Sequence, residues 1–351
     1  MMVPPMPEFD RSRDRGKPTG VLLAPDSFKG TLSALEVVSA LAGPLERAGY
    51  AVDPCPLADG GEGTADAMRA ALGGERVGAD AHDPLGRPIR ASFALLGDGD
   101  TAVVETAAAS GLGLLVPSER DPESASTRGT GELIVAASRR ATRVLVGIGG
   151  SATVDGGSGA LEAIDEAGGL GSARLVCLCD VRTPWELAAG TFGPQKGADP
   201  AAVERLSRTL EALASTLPRD PRGVPMSGAA GGLAGALWAA CGAELADGAA
   251  FILEAVGFDD RLRSAAAVVT GEGRLDATTL AGKLVSEVAA RARDAGVPVH
   301  AVVGQDATTV ADRAALGLAS ITTASTPAEL AGAAAALAAE LPGGLHSPDA
   351  G

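Results

Sequence analysis

The 351-residue chain carries 44 acidic against 29 basic side chains, a net charge of -15, and only 3% of its residues are aromatic. Such a charge repels nucleic-acid backbones and anionic membranes, and so few rings leave little for unpaired bases to stack on. The length admits two domains, and with 46% hydrophobic residues a sizeable core of Ala, Val and Leu can be buried.

In chain order, residues 1–19 hold Pro4, Pro5, Arg11, Arg13 and Arg15 without an apolar stretch and read as a disordered leader, not a signal peptide. Val21-Leu22-Leu23-Ala24 is a short buried strand. Ser33 and Glu36 then form a capping box, opening a helix with Leu35, Val38, Leu41 and Leu45 at helical spacing. A strand over 50–57 and a helix reaching Leu72 complete β-α-β-α, the grammar of a parallel sheet. The rhythm then changes. Segments 75–81, 88–96 and 101–106 are strands without intervening helices, and Gly97-Asp98-Gly99-Asp100 is a hairpin turn, so an antiparallel meander is expected.

A helix over 131–140, a strand over 143–147, a helix after Gly157, a strand over 173–181, an amphipathic helix over 201–217 and a small-residue helix over 229–241 follow. The run Gly228-Ala229-Ala230-Gly231-Gly232 reads as a packing or turn device rather than a ligand site. Alternation returns with a strand over 265–270, a helix over 279–295 and strands over 297–303 and 321–323. Thr326, Pro327 and Glu329 make a second capping box ahead of the last helix. No apolar run approaches the roughly 18 residues a membrane span needs. Cys55, Cys177, Cys179 and Cys241 form no C-x-x-C pair and His82, His300 and His346 are scattered, so neither zinc ligation nor a disulfide framework is expected and the chain reads as cytoplasmic.

The end elements resemble the start elements and the middle differs. The expected topology is therefore one open parallel sheet built by both termini, 20–78 and 265–342, interrupted by a second mixed α/β domain over 79–264, with 343–351 as a loose tail. Small-molecule sites favour the carboxyl ends of such strands, where every glycine and aspartate cluster of this chain falls.

Gly147-Ile148-Gly149-Gly150-Ser151-Ala152-Thr153-Val154-Asp155-Gly156-Gly157 follows a buried strand, and its bare amides and hydroxyls suit a phosphate, with Asp155 able to hold a cation. Taken alone, that loop is equally a tight strand-to-helix connection. Asp26, Ser27 and Lys29 lie just past the first strand, where Lys29 can bind phosphate or a carboxylate. Asp59 stands in the matching turn after the second strand, and Arg87 sits between prolines as a bidentate clamp or a solvated arginine. Asp180 ends an apolar strand as a candidate base or Mg2+ ligand, Lys196 is the chemical group of a Pro-Gln-Lys-Gly turn, and Glu272, Arg274 and Asp276 crowd one turn. No G-x-x-x-x-G-K-[ST] is present, and the dinucleotide-like Gly147-x-Gly149-x-x-Ala152 lacks an acid at the expected offset.

Five strings together resemble the bacterial glycerate kinase family of the type I, two-domain kind. They are Ala24-Pro25-Asp26-Ser27-Phe28-Lys29-Gly30, Pro56-Leu57-Ala58-Asp59-Gly60-Gly61-Glu62-Gly63-Thr64, the 147–157 loop, Phe192-Gly193-Pro194-Gln195-Lys196-Gly197-Ala198 and Thr270-Gly271-Glu272-Gly273-Arg274-Leu275-Asp276. The resemblance implies a flavodoxin-like domain interrupted by a second α/β domain, and phosphorylation of D-glycerate to 2-phosphoglycerate or 3-phosphoglycerate using ATP and Mg2+. It is also compatible with a homodimer. Two departures bear on the pocket rim: a shortened stretch between Gly159 and Leu175, and Thr183-Pro184-Trp185 where the family more often has Asn-Pro-Leu.

Residue chemistry then distributes the roles. Asp180, Lys29 and Arg274 are catalytic; Asp26, Ser27, Asp59 and Arg87 bind substrate; Gly149, Gly150, Ser151, Lys196 and Glu272 bind ATP; Asp155 and Asp276 hold the metal. A nicotinamide-dependent hydroxy-acid dehydrogenase and a non-catalytic nucleotide-binding protein are the competing readings.

Overall fold

A computed structural model of the chain describes residues 20–277, 279 and 283–341, so the expected leader and tail lie outside the described residues. β1 (Gly20–Pro25), α1 (Ala34–Arg47), β2 (Ala51–Pro54) and α2 (Thr64–Leu72) open the chain. β3 (Gly74–His82), β4 (Pro88–Leu96), β5 (Thr101–Glu105), α3 (Ala107–Ser110), α4 (Arg128–Ser138), β6 (Arg143–Gly147), α5 (Ser158–Glu166) and β7 (Arg174–Cys179) follow. Next come α6 (Ala188–Phe192), α7 (Pro200–Ala214), α8 (Leu233–Cys241), β8 (Glu244–Asp247), α9 (Gly248–Ala255) and α10 (Phe258–Leu262). The last stretch holds β9 (Ala265–Gly271), β10 (Arg274–Leu275), α11 (Leu284–Asp294), β11 (Val299–Val303), β12 (Gln305–Asp306), α12 (Val310–Leu316), β13 (Ser320–Thr323) and α13 (Pro327–Glu340).

Both expected capping boxes form. Ser33 Oγ accepts from the Glu36 amide while Glu36 Oε2 accepts from the Ser33 amide, and Thr326 and Glu329 do the same for α13.

A five-stranded parallel sheet has the order β13-β11-β9-β1-β2. Counted by appearance within that sheet, the order from the β2 edge is 2-1-3-4-5, the flavodoxin-like doubly wound order. The chain leaves this sheet after α2 and returns at β9, so its central strands β1 and β9 come from opposite ends of the sequence. They are buried nearly throughout, which explains their uninterrupted apolar runs. A six-stranded sheet with the order β3-β4-β5-β6-β7-β8 holds the middle of the chain; β3, β4 and β5 form the expected antiparallel meander and β5 to β8 run parallel.

One apolar core spans the seam between the two sheets, combining Leu57 and Met68 with Leu145, Leu178, Ile252 and Phe258. Close backbone contact fixes that seam. A Cβ on Gly60 would come within 2.6 Å of the Leu178 carbonyl oxygen, and one on Gly149 within 2.5 Å of Gly61 Cα. Only glycines let the loop after β2 press against the ends of β6 and β7.

Two expectations are corrected. The helix expected over 229–241 begins at Leu233, because Ala230, Gly231 and Gly232 take left-handed conformations (φ 51, 66 and 101) to thread past the 153–156 backbone. The packing reading of this run holds. Trp185, expected at the pocket rim, is fully buried: its indole Nε1 donates to the Leu210 carbonyl at 3.0 Å and its amide to Ser227 Oγ at 2.8 Å. It fills a core beside Val154, Leu206 and Ala236 and takes no part in the cavity wall.

Candidate active site

The strand order of the first sheet reverses between β1 and β9, and open α/β sheets leave a crevice outside their carboxyl ends at such a point. A cavity of about 370 Å3 lies there. Its wall takes Asp26, Ser27 and Lys29 from the loop after β1, Asp59 from the loop after β2, and Glu272, Arg274, Asp276 and Lys283 from the segment after β9. The Asp26 amide donates to the Gly271 carbonyl at 2.8 Å, which ties the first loop to the third.

Charge in this crevice is unevenly balanced. Lys29 Nζ donates to Asp59 Oδ2 at 3.3 Å. The Asp59 charge, joined by those of Asp26 and Asp180, holds the ammonium well above the usual lysine range despite partial burial. Burial, then the charge of Asp59, pushes the Asp26 carboxyl far up, against the pull of Lys29 and of the Ser27 amide, which donates to Asp26 Oδ1 at 2.6 Å. Asp180, one residue past β7, is raised by the same two causes and held back by Lys29 and Lys283. It does not line the cavity, but from the end of the second sheet it feels the charges of the first sheet's loops. Glu272 is raised by burial, while Thr279 Oγ1 donates to its Oε1 at 2.7 Å. Arg274 Nε donates to Asp276 Oδ2 at 3.2 Å, and both remain on the cavity wall.

The glycine-rich loop after β6 sits on the same seam and off that wall. The Gly149 amide donates to the Gly60 carbonyl at 3.3 Å, and Gly150 is exposed in a left-handed conformation. Beneath them Lys196 is buried, its Nζ donating to Ser151 Oγ and to the Thr153 carbonyl, both at 2.7 Å. Burial pushes this ammonium down to about 7, with Asp155 and Asp180 opposing.

Asp155 does not present itself to a metal. Its Oδ2 accepts from the Thr127 amide at 2.8 Å, Thr127 Oγ1 at 2.7 Å and the Gly159 amide at 3.3 Å, and its Oδ1 from the Gly157 amide at 3.1 Å. The carboxylate is consumed in joining the starts of α4 and α5. Arg87 is likewise spent: it is paired with Asp83 in its own turn and with Glu119 at 2.8 Å, and it does not line the cavity. The solvated, internally paired arginine is the reading that fits.

The family model described as "Glycerate kinase family" matches residues 21–168 and 167–342, nearly the whole described chain. The chain belongs to the glycerate kinase family. It is 39% identical over 330 residues to the glycerate kinase of Bacillus subtilis (strain 168), covering 81% of this chain and 84% of that protein. It is 38% identical over 326 residues to the glycerate 2-kinase of Escherichia coli (strain K12), with the same coverage of 81% and 84%. A solved chain from Salmonella typhimurium LT2, designated a glycerate kinase 2, superposes with a TM-score of 0.78 at 33% identity, covering 92% of this chain and 98% of that one.

In this member of the glycerate kinase family the cavity also takes Gln305 and Ser325, which the motif reading omitted. They follow β11 and β13, so the strand-end rule points to them, but as uncharged side chains outside glycine turns they carry no chemical flag of their own. No helix among the described residues is long and apolar enough to cross a membrane, and all four cysteines are free.

Proposed function

We propose that this chain transfers the γ-phosphoryl group of ATP to the 2-hydroxyl of D-glycerate, giving 2-phosphoglycerate and ADP. The observation that carries the reading is the convergence of Lys29, Arg274 and Lys283 with Asp26, Asp59 and Glu272 on one cavity at the switch point of the sheet. Family membership supports the reaction class, and the likeness to a glycerate 2-kinase favours the 2-hydroxyl.

Phosphoryl transfer asks the protein mainly for position and charge compensation. Lys29, with its side chain 62% exposed, is the cation able to meet the glycerate carboxylate. Arg274 and Lys283 face the phosphates, and the exposed Gly150 offers a turn that a phosphate can approach closely. Asp180 accepts the hydroxyl proton as the new O–P bond forms; the bond from the γ-phosphorus to its bridging oxygen breaks and ADP leaves with that electron pair. Burial beside Asp59 makes Asp180 a stronger base than an exposed aspartate, which favours proton acceptance.

Among the described residues no three His, Cys, Asp or Glu side chains gather into a metal cage. Glu272 and Asp276 nevertheless place hard carboxylates on the cavity wall. That donor set fits Mg2+, which is commonly held by one or two carboxylates together with substrate phosphates. Bound there, the ion would offset phosphate charge.

A coupled ADP-release assay with glycerate, lactate, tartronate and no acceptor tests the reading. Release that depends on glycerate, with 2-phosphoglycerate identified by NMR, is expected. Release no faster than without acceptor, or formation of reduced nicotinamide from a hydroxy acid, overturns it.

A further inference from the structure

Helix α2 starts without a side-chain cap of its own. Its N-cap is Gly63, in a left-handed conformation, and no local hydroxyl or carboxylate accepts from its first amides. The acceptor comes from the other sheet: Glu105, the last residue of β5, takes the Ala65 amide at 2.8 Å. Glu105 also pairs in register with Gly147, the last residue of β6, and the next amide, of Thr106, donates to the Gly147 carbonyl at 2.9 Å. One carboxylate therefore stands where the end of the second sheet, the start of α2 and the 59–63 loop meet.

That loop carries Asp59, whose Oδ1 accepts from the Gly61 amide at 3.0 Å while its Oδ2 faces Lys29. We propose that Glu105 is a positioning residue: by capping α2 from across the seam it holds the 59–63 loop, and with it Asp59 and Lys29, in the geometry that receives the acceptor substrate. This rests on the glycerate kinase reading of the cavity.

The groups facing Glu105 are Asp66 and Glu62 from α2 and its loop, and Arg76 from β3, itself paired with Asp66 and with Arg69 close by on Asp66. Burial, with the charges of Asp66 and Glu62, pushes the Glu105 carboxyl up to about 7, while the Ala65 and Gly63 amides favour the ionised form. The folded site therefore holds this proton more tightly than an opened one would, and ionisation above neutrality weakens the junction.

Steady-state kinetics and amide exchange on the full-length Glu105→Ala and Glu105→Gln enzymes test this. A hydrogen bond to a charged group is worth about 1.5–3 kcal/mol, roughly a tenfold effect or more. We expect Glu105→Ala to raise KM for glycerate about tenfold with a smaller change in kcat, and to speed exchange over residues 60–72. Glu105→Gln keeps an acceptor oxygen and recovers most of both. Between pH 6 and 8, corrected for intrinsic rates, protection of 60–72 should fall in the wild type, because the native state binds the Glu105 proton more tightly than the opened state does, and stay level in Glu105→Gln; this arm decides if Glu105→Ala does not fold. Wild-type KM and wild-type exchange in Glu105→Ala, or the same pH response in Glu105→Gln as in the wild type, overturns the proposal. Exchange needs no substrate, so an enzyme inactive on glycerate would count against the activity reading and leave these arms readable.

Discussion

Two clusters in this protein look alike in sequence and differ in the folded chain. The loops after β1, β2 and β9 place Lys29, Asp59, Glu272 and Arg274 around open space, with charges compensated across the cavity and side chains still able to meet a ligand. The loop after β6 packs its equivalents inward: Lys196 lies under Ser151 and the Thr153 carbonyl, and Asp155 accepts four hydrogen bonds from Thr127, Gly157 and Gly159. A glycine-and-aspartate turn after a strand is therefore an offer of chemistry that the fold can take up or spend on itself. What separates the outcomes is unspent hydrogen-bonding capacity, not residue type.

The contrast is tested most directly at two aspartates, Asp155 in the inward-packed loop and Asp180, proposed as the base, just past the end of β7. Asp180→Asn keeps shape and removes the proposed base, so kcat should fall by about 10²–10⁴ with little change in melting temperature. Turnover within threefold of the wild type would end the base assignment. Lys29→Met removes the cavity's link to Asp59, and a loss of about 10–100-fold in kcat/KM for glycerate is expected, most of it in KM.

Asp155→Ala should behave the opposite way. It leaves the starts of α4 and α5 uncapped, at a cost of about 2 kcal/mol in denaturant unfolding, with the activity of the folded fraction retained. A selective loss of Mg2+ dependence in that variant would restore Asp155 to the metal site.

The buried lysine sharpens the comparison through pH. Its proton is held more weakly in the native state, near 7, than in the unfolded chain, near 10.4, so between those values the unfolded state binds more protons and stability rises with pH. Between pH 7 and 9 the wild type should gain about 2 kcal/mol relative to Lys196→Met, read as the difference between the two stability curves. Parallel curves would mean that Lys196 is not a buried cation. Smallest of all, Arg87→Ala should leave KM for glycerate within twofold, since neither Arg87 nor its partners Asp83 and Glu119 line the cavity. A large rise in KM would return Arg87 to the substrate.

Much of the fold is legible because its signals are local. The apolar runs of β1 and β9, the boxes at Ser33 and Thr326 and the meander over β3 to β5 each depend on neighbours within a few residues. The site is only partly legible. Lys29, Asp59, Glu272 and Arg274 follow from the strand-end rule, but the same rule cannot tell that Arg87 meets Glu119, that Trp185 turns into a core against Leu210, or that Glu105 reaches Ala65. Those partners lie tens of residues away along the chain.

The sequence by itself determined the strands, the caps and the set of polar groups delivered to the strand ends, because backbone preference and hydrophobic period act over short range. Only the tertiary structure decided which of those groups keep a free valence for a ligand, because that depends on what the second sheet, packed against glycines 60, 61 and 149, brings within hydrogen-bond reach.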